Sequence, residues 1–477
     1  MSCVKTTSAF DFYGIAMVIF RLLGNDLLNT LTLLRRVLIS CLFLLHVTLA
    51  VAQPALSEVS NSIESYPQIH FGMQSTYVGN KHPSFDDPYN GPSSLYSGNE
   101  SGYTFTGTVY VGFRPWKGTE FWADPETASG VPFSNLLGVA GVYNGEAQKG
   151  AFTSPIVYTG RAFIRQTFGL GGEQVTPDLE YNTFGDTVAA RRIVFTAGLY
   201  SITDIFDRNT FGHDPKKDFL NWSIMDWGAW DMPANALGYT RGITSEFYWD
   251  DWALRLSRNM MPIESNGLYL TTNMFQSYAD TAEIQHNYSL FGQAGIIRAM
   301  AFRNQASFGN YADALNYSQV DGSTPDIANV RTPQSKYGFG LNLEQYVTKE
   351  IGIFGRLSWN NGATEAYSFT DINNSVSGGV SVNGALWNRA GDTIGIGFAS
   401  NGISSSNQSY LSAGGSDFFC GDSQLNYQRE NIGEIYYSAQ LTPFLWLTAD
   451  YQRIANPCYN ADRGPVNVYS LRAHIQF

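Results

Sequence analysis

The feature that most constrains this chain is a two-residue alternation sustained over unusually long runs. In "YTFTGTVYVGF", Phe105, Val109, Val111 and Phe113 alternate with Thr104, Thr106, Thr108 and Tyr110. "YGFGLNLEQ" sets Tyr337, Phe339, Leu341 and Leu343 against Gly338, Gly340, Asn342 and Glu344. The pattern continues through "EIGIFGRLSWN", "EIYYSAQL" and "FLWLTADYQ" and reaches the final "VNVYSLRAHIQF". Period two places one apolar and one polar face on a strand. These runs reach ~9–11 residues, the span of a bilayer core at barrel tilt, where soluble strands average about five or six. In water the apolar faces would form a large exposed patch. Little helical periodicity is present to cover them.

The composition agrees. Charged residues are 15% and aromatics 14%, with 47 glycines and 28 tyrosines. A lipid-facing barrel wall carries few charges, and aromatics at strand ends, here Trp116, Tyr337, Trp359 and Phe477, suit its interfacial girdles. Connections alternate between tight ("LTP", 441–443) and long (413–426 and 454–465), the habit of outer-membrane barrels. Extended along the chain, this predicts an all-β transmembrane antiparallel barrel of about sixteen to eighteen strands with a water-filled lumen, long outer loops and short periplasmic turns. The formal charge of −12 and the lack of a basic stripe argue against nucleic acid.

The N-terminus reads as an address. Arg35 and Arg36 precede an apolar stretch from Val37 to about Ala50, and Ala50-Val51-Ala52 forms a small-x-small cleavage site before Gln53. The expected organisation is a leader and secretory signal at 1–52, a short periplasmic segment at 53–67 and the barrel at 68–477. Cleavage takes away four basic and two acidic residues, leaving −14. Only Cys420 and Cys458 stay, in an oxidising setting. If the C-terminus lies on the short-turn side, both fall in long outer loops, so we expect a disulfide between them; the plainer alternative is two unrelated buried thiols.

Four stretches identify a relative. "GTVYVGFRPWKGTEFWADPE", "GRAFIRQTFGLGGE", "FTAGLYSITDIFDRNTFGHDPKKDFLNWSIMDWGAWD" and the run from Asn431 to Phe477 resemble, in order, the carbohydrate-selective porin (OprB) family. The resemblance implies an outer-membrane barrel of sixteen strands that passes sugars by diffusion, without catalysis. Cys420, Cys458 and the long leader depart from the family pattern. The partners implied are small neutral sugars, outer-membrane lipid, and the barrel-assembly machinery acting on the strand that ends at Phe477, with the barrel a monomer or a homotrimer.

Such a bore offers hydrogen bonds and aromatic faces to a polar solute, and binding must stay weak enough for release. The alternation directs Arg192, Tyr200, Arg356, Glu434, Trp446, Asp450, Arg472 and His474 inward. Arg161 and Arg165, four apart, share a face, and "RPWKGTEFWADPE" supplies Arg114, Lys117, Glu120 and Asp124. The longest break in alternation, 204–231, carries Asp204, Asp207 and Arg208 with Trp222, Trp227 and Trp230. We expect this segment to enter the barrel as a constriction; the alternative is an exposed loop with its aromatics packed on the rim.

No cofactor or metal is expected. "GLGGE" lacks a surrounding dinucleotide unit, and the histidines show no metal-ligand spacing. Two rival readings are a barrel enzyme, which would need a clustered nucleophile and base, and a secreted soluble β-rich sugar-binding protein.

Overall fold

The computed structural model describes residues 67–177, 179 and 181–477. The expected signal, its cleavage site and the segment 53–67 apart from Pro67 lie outside the described residues. Among the described residues, sixteen strands form one closed antiparallel barrel: β1 (Gln68–His82), β2 (Glu100–Trp116), β3 (Thr119–Val131), β4 (Ile156–Val175), β5 (Val188–Tyr200), β6 (Thr240–Trp249), β7 (Trp252–Met260), β8 (Tyr278–Leu290), β9 (Gln293–Phe308), β10 (Thr332–Tyr346), β11 (Ile351–Asn360), β12 (Asn374–Asn383), β13 (Thr393–Gly402), β14 (Glu430–Thr442), β15 (Leu445–Ala455) and β16 (Val466–Gln476). Each strand pairs with its sequence neighbours, and β1 pairs with β16 to shut the ring.

The alternation determines the faces. Val109, Phe113, Phe339, Leu341 and Leu357 are exposed on the outside, while Thr104, Thr106, Thr108, Asn342, Glu344 and Arg356 are buried on the inside. The outer face is therefore an apolar band. Rings gather towards both strand ends: Phe444 stacks on Phe477 at one, and Tyr451 neighbours Tyr469 and Phe339 neighbours Trp359 at the other. Turns of two residues join β2 to β3, β6 to β7, β8 to β9 and β14 to β15; the connections at the opposite end are long. Long loops face outward and short turns face the periplasm. The exceptions among the short turns are 176–187 and 384–392. Lys117 sits exposed in the tight turn between β2 and β3, so it does not face the bore: the strand ends before it.

Outer loops 309–331, 361–373, 403–429 and 456–465 knit into a cap. A disulfide joins Cys420 to Cys458, whose Cα atoms are 5.4 Å apart. Beside it, the Phe419 and Cys420 amides donate to Asp371 Oδ2 at 2.8 and 3.1 Å. The Tyr459 hydroxyl donates to the Asp371 carbonyl at 2.6 Å. Asp417 accepts from Tyr311 Oη at 3.0 Å and Asn407 Nδ2 at 2.9 Å. Burial pushes Asp417 up to about 6, against those hydrogen bonds, and Asp371 rises through burial and the Asp417 charge.

Two outcomes follow for this cap. Replacing both cysteines by serine should weaken it by about 2–4 kcal/mol, read as faster proteolysis within 403–429, while the barrel keeps its heat-modifiable migration. A buried acid with a raised pKa stabilises the folded cap below its unfolded pKa and loses that contribution as pH rises through the folded value. Protection of the Phe419 and Cys420 amides against hydrogen exchange should therefore fall between pH 4 and pH 7, and Asp417→Asn should flatten the dependence.

Candidate functional site: a bore narrowed by inward loops

Loop 201–239 turns into the barrel and packs on the wall from β8 round to β16. The sequence permits this by placing hydrogen-bonding side chains on inward strand positions opposite a segment rich in orphan backbone groups. Arg356 Nε contacts both Asp207 carboxylate oxygens at 3.1 Å, and its other nitrogens donate to the carbonyls of Asp207, Gly212 and Ile224. Asp207 Oδ2 also accepts from the Trp227 amide at 2.9 Å, and the Asp207 amide donates to Glu283 Oε2 at 2.9 Å. Arg472 donates to the carbonyls of Pro215, Lys217 and Asp218, each at 2.7 Å. Glu434 accepts from the amides of Leu220 and Asn221.

Apolar packing fills the gaps between these bonds. Phe206, Phe211, Phe219, Trp227 and Trp230 join one core with wall residues Phe302, Phe354 and Tyr436. Inward glycines leave the room: a Cβ on Gly340 would lie 2.8 Å from the Trp227 ring, and one on Gly352 would overlap Phe211.

A second loop, 132–155, enters from the outer end. The Ala140 and Gly141 amides donate to Glu430 at 2.9 and 2.8 Å, and Thr106 Oγ1 donates to Glu146 at 2.7 Å. The two loops meet through Gly145 N to Leu220 O at 2.8 Å and Trp222 N to Val142 O at 3.1 Å. The turn 176–187 rises from below: Asn182 donates to Asp124 and accepts from Arg165, and Tyr181 donates to Asp214. With β8–β16 covered, the remaining cavity lies off-centre against β4 and β5.

Its lining is charged in both signs. Arg161 Nε and Nη2 donate to Asp204 at 2.7 Å each, with Asp124 3.9 Å away. Lys149 sits 3.5 Å from Glu126 and 3.8 Å from Glu146; Lys216 sits 3.3 Å from Glu146 and 3.6 Å from Asp214. Tyr239 donates to Glu126 at 2.9 Å, and its ring lies below Lys149 and Arg161. Towards the periplasm, Glu120 bridges Arg114 at 3.0 Å and Arg165 at 3.1 Å. Burial works to raise the Asp204 pKa, and the Arg161 charge overrides it and holds it low. Burial is likewise overridden at Asp214 by Lys216 and Lys217. Phe163, Trp222 and Phe369 supply ring faces, the last two stacked 4.6 Å apart.

The candidates separate into two groups. Arg161, Arg165, Asp204, Arg208 and Trp222 border the open cavity. Asp207, Trp227, Trp230, Arg356, Asp450 and Arg472 are all buried. This corrects the expectation that they meet solute: the inward loops cover them, and most of them hold those loops. Arg192 also turns inward but stacks on Tyr248, 3.6 Å from the ring centre, and is buried away from this cavity. Arg114 and Glu120 belong to the periplasmic cluster. Sequence reading missed Glu126, Glu146, Lys149, Lys216 and Tyr239. Glu126 was accessible, two residues beyond Asp124 on the same face.

A closed barrel of long strands with loops narrowing a polar bore defines a porin. The family model for carbohydrate-selective porins of the OprB family matches residues 113–477, and the chain belongs to that family. It is an integral outer-membrane protein of the porin class. The solved high-pH structure of Pseudomonas putida OprB aligns over 86% of this chain and 94% of its own, with a TM-score of 0.62 at 16% identity, and so shares the fold. Porin AaxA of Chlamydia pneumoniae is 29% identical over 140 residues, 29% of this chain and 28% of that porin, so under a third of that relative is matched. The channel DcaP of Acinetobacter baumannii aligns over 86% of the chain at 10% identity, with a TM-score of 0.46.

Removing one partner of the Asp207–Arg356 pair strands a buried charge. Arg356→Met should cost about 3–5 kcal/mol in urea unfolding and raise single-channel conductance as loop 201–239 loosens. Unchanged conductance would mean that the loop does not limit the bore.

Proposed function

We propose that the narrowing formed by loops 132–155 and 201–239 selects small neutral sugars, which cross by passive diffusion. The observation that supports this reading is the pairing of charge around the cavity. Lys149, Arg161, Arg165 and Lys216 each have an acid within 4.0 Å, and Arg208 donates to the Asp204 carbonyl at 3.1 Å. Such a lining offers no isolated charge to an ion, and many donors and acceptors to hydroxyl groups. The faces of Trp222, Phe163 and Tyr239 suit the apolar C–H side of a sugar ring. We assign Arg161 and Asp204 as the central sugar-contacting pair, with Lys149, Glu126 and Lys216 around it.

Liposome swelling with sugars of graded size tests the reading. Neutral monosaccharides should enter faster than disaccharides, and the channel should discriminate weakly between cations and anions in reversal-potential measurements. Asp204→Asn leaves the Arg161 charge unopposed on that side and should shift the reversal potential towards anions while slowing sugar entry several-fold. Vesicles impermeable to monosaccharides, or a wild-type channel strongly selective for one sign of ion, would overturn the proposal.

A further inference from the structure

The outer wall carries a second recognition surface. On β10 and β11 aromatic residues mark the outward rim, with Tyr337 and Phe339 flanking Trp359. Across β7–β9 the same level is ionic. Arg258 lies opposite Asp280, Asp280 opposite Arg303, and Arg303 opposite Tyr337. These alternate with inward residues and therefore point to lipid. Arg258 donates to both Asp280 oxygens at 2.7 Å, lies 4.2 Å over the Tyr278 ring and keeps 40% of its side chain exposed. Arg303 is exposed, and its guanidinium hydrogen-bonds the Ser335 hydroxyl at 3.2 Å. On β6, Arg241 is exposed, and among the described residues no acidic side chain pairs with it. Three arginines thus face one aspartate at the outer edge of the apolar band.

Beside Arg241 the wall is hollow. Ala162, Ala197, Gly198 and Gly242 open a groove of about 510 Å³, walled by Leu199, Ile243, Met260 and, from the outer loop, Met274. That loop, 261–277, exposes Ile263 at 62%, Tyr269 at 75% and Phe275 at 77%. Large apolar residues at a loop tip next to a lipid-facing wall suit immersion in the outer leaflet rather than contact with water.

We propose that this surface binds an anionic, phosphate-bearing lipid of the outer leaflet. The phosphate is held by Arg241, Arg258 and Arg303, and one acyl chain lies in the groove under Met274. Guanidinium groups bind phosphate through charge-assisted, frequently bidentate hydrogen bonds. The groove suits a chain because the small residues Ala162, Ala197, Gly198 and Gly242 leave a hollow walled by the apolar side chains of Leu199, Ile243 and Met260. A lone carboxylate among three arginines leaves the patch cationic, which selects against zwitterionic lipid.

Native mass spectrometry of the detergent-solubilised full-length barrel tests this, with diphosphoryl lipid A as probe and phosphatidylcholine as control. Wild-type barrel should retain diphosphoryl lipid A and release phosphatidylcholine. Neutralising all three arginines (R241Q, R258Q, R303Q) should weaken retention about a hundredfold, at roughly fivefold per basic residue near a membrane surface. The corresponding lysine variants should recover most of it. Ala162→Phe, which fills the groove, should weaken retention with the arginines intact. Heat-modifiable migration and sugar entry should be unchanged throughout, since none of these residues faces the bore. Should the triple variant not fold, Arg241→Gln alone, at an exposed unpaired position, should still reduce retention several-fold. Equal retention of both lipids, or undiminished retention by the glutamine variants, would overturn the site. So would an Ala162→Phe barrel that changes oligomeric state but keeps its lipid, which would make the face a contact between barrels. Full displacement of the lipid by millimolar inorganic phosphate would remove the groove from the proposal and overturn it in this form.

Discussion

The pairing of β1 with β16 is the constraint on which everything else rests. Hydrocarbon offers no hydrogen bonds, so each strand amide and carbonyl within the bilayer needs a partner strand, and only a ring leaves none over. Once the ring closes, the two faces of every strand meet different solvents. The outer face must be apolar. The inner face is free to be polar, but its buried groups must then find water or protein partners.

Much of this chain meets that second demand with protein. Along β8–β16 the inward residues Glu283, Asn342, Glu344, Arg356, Glu434 and Arg472 bind backbone groups of loop 201–239, which has no regular ladder of its own. The match is reciprocal: orphan amides and carbonyls of an irregular segment satisfy orphan side chains of a wall. Asp207 sits at the centre, at φ 52°, a left-handed conformation that aspartate tolerates better than most residues. Its carboxylate is shared among Arg356, Asn342 and the Trp227 amide. A buried pair of this kind adds little net stability, but losing one member is costly, so the loop is held in one position rather than merely attracted. The off-centre bore is the geometric consequence.

The faces of the strands were legible in the sequence because alternation is a local property. Arg356, Asn342 and Arg472 could be sent inward from their immediate neighbours alone. What covers an inward residue was not legible, because that depends on a loop from elsewhere in the chain. Asp207 and Trp227 were therefore grouped with Asp204 and Trp222, although the first two are buried anchors and the others border the cavity. Loop 132–155 gave no signal at all: "GVYNGEAQKG" has neither period, and Glu146 and Lys149 gain meaning only opposite Lys216 and Glu126. Lys117 failed for a simpler reason, since the pattern stops at Trp116 and the lysine lies in the turn.

The net charge of the chain says little about what passes through it. A bore is governed by the charges that face it, and here those charges are bound to one another before any solute arrives. A sugar entering the narrowing must compete with hydrogen bonds already made, such as Arg161 to Asp204 and Tyr239 to Glu126. It can gain only from spare lone pairs and ring faces. That keeps its residence short, because hydrogen bonds exchanged against existing ones return little net free energy. An ion faces the same preorganised pairs without the compensation of many hydroxyls. On the proposed reading, mutual satisfaction of the lining does two things at once: it lowers affinity enough for release, and it pairs the charge that would otherwise make the channel selective for ions.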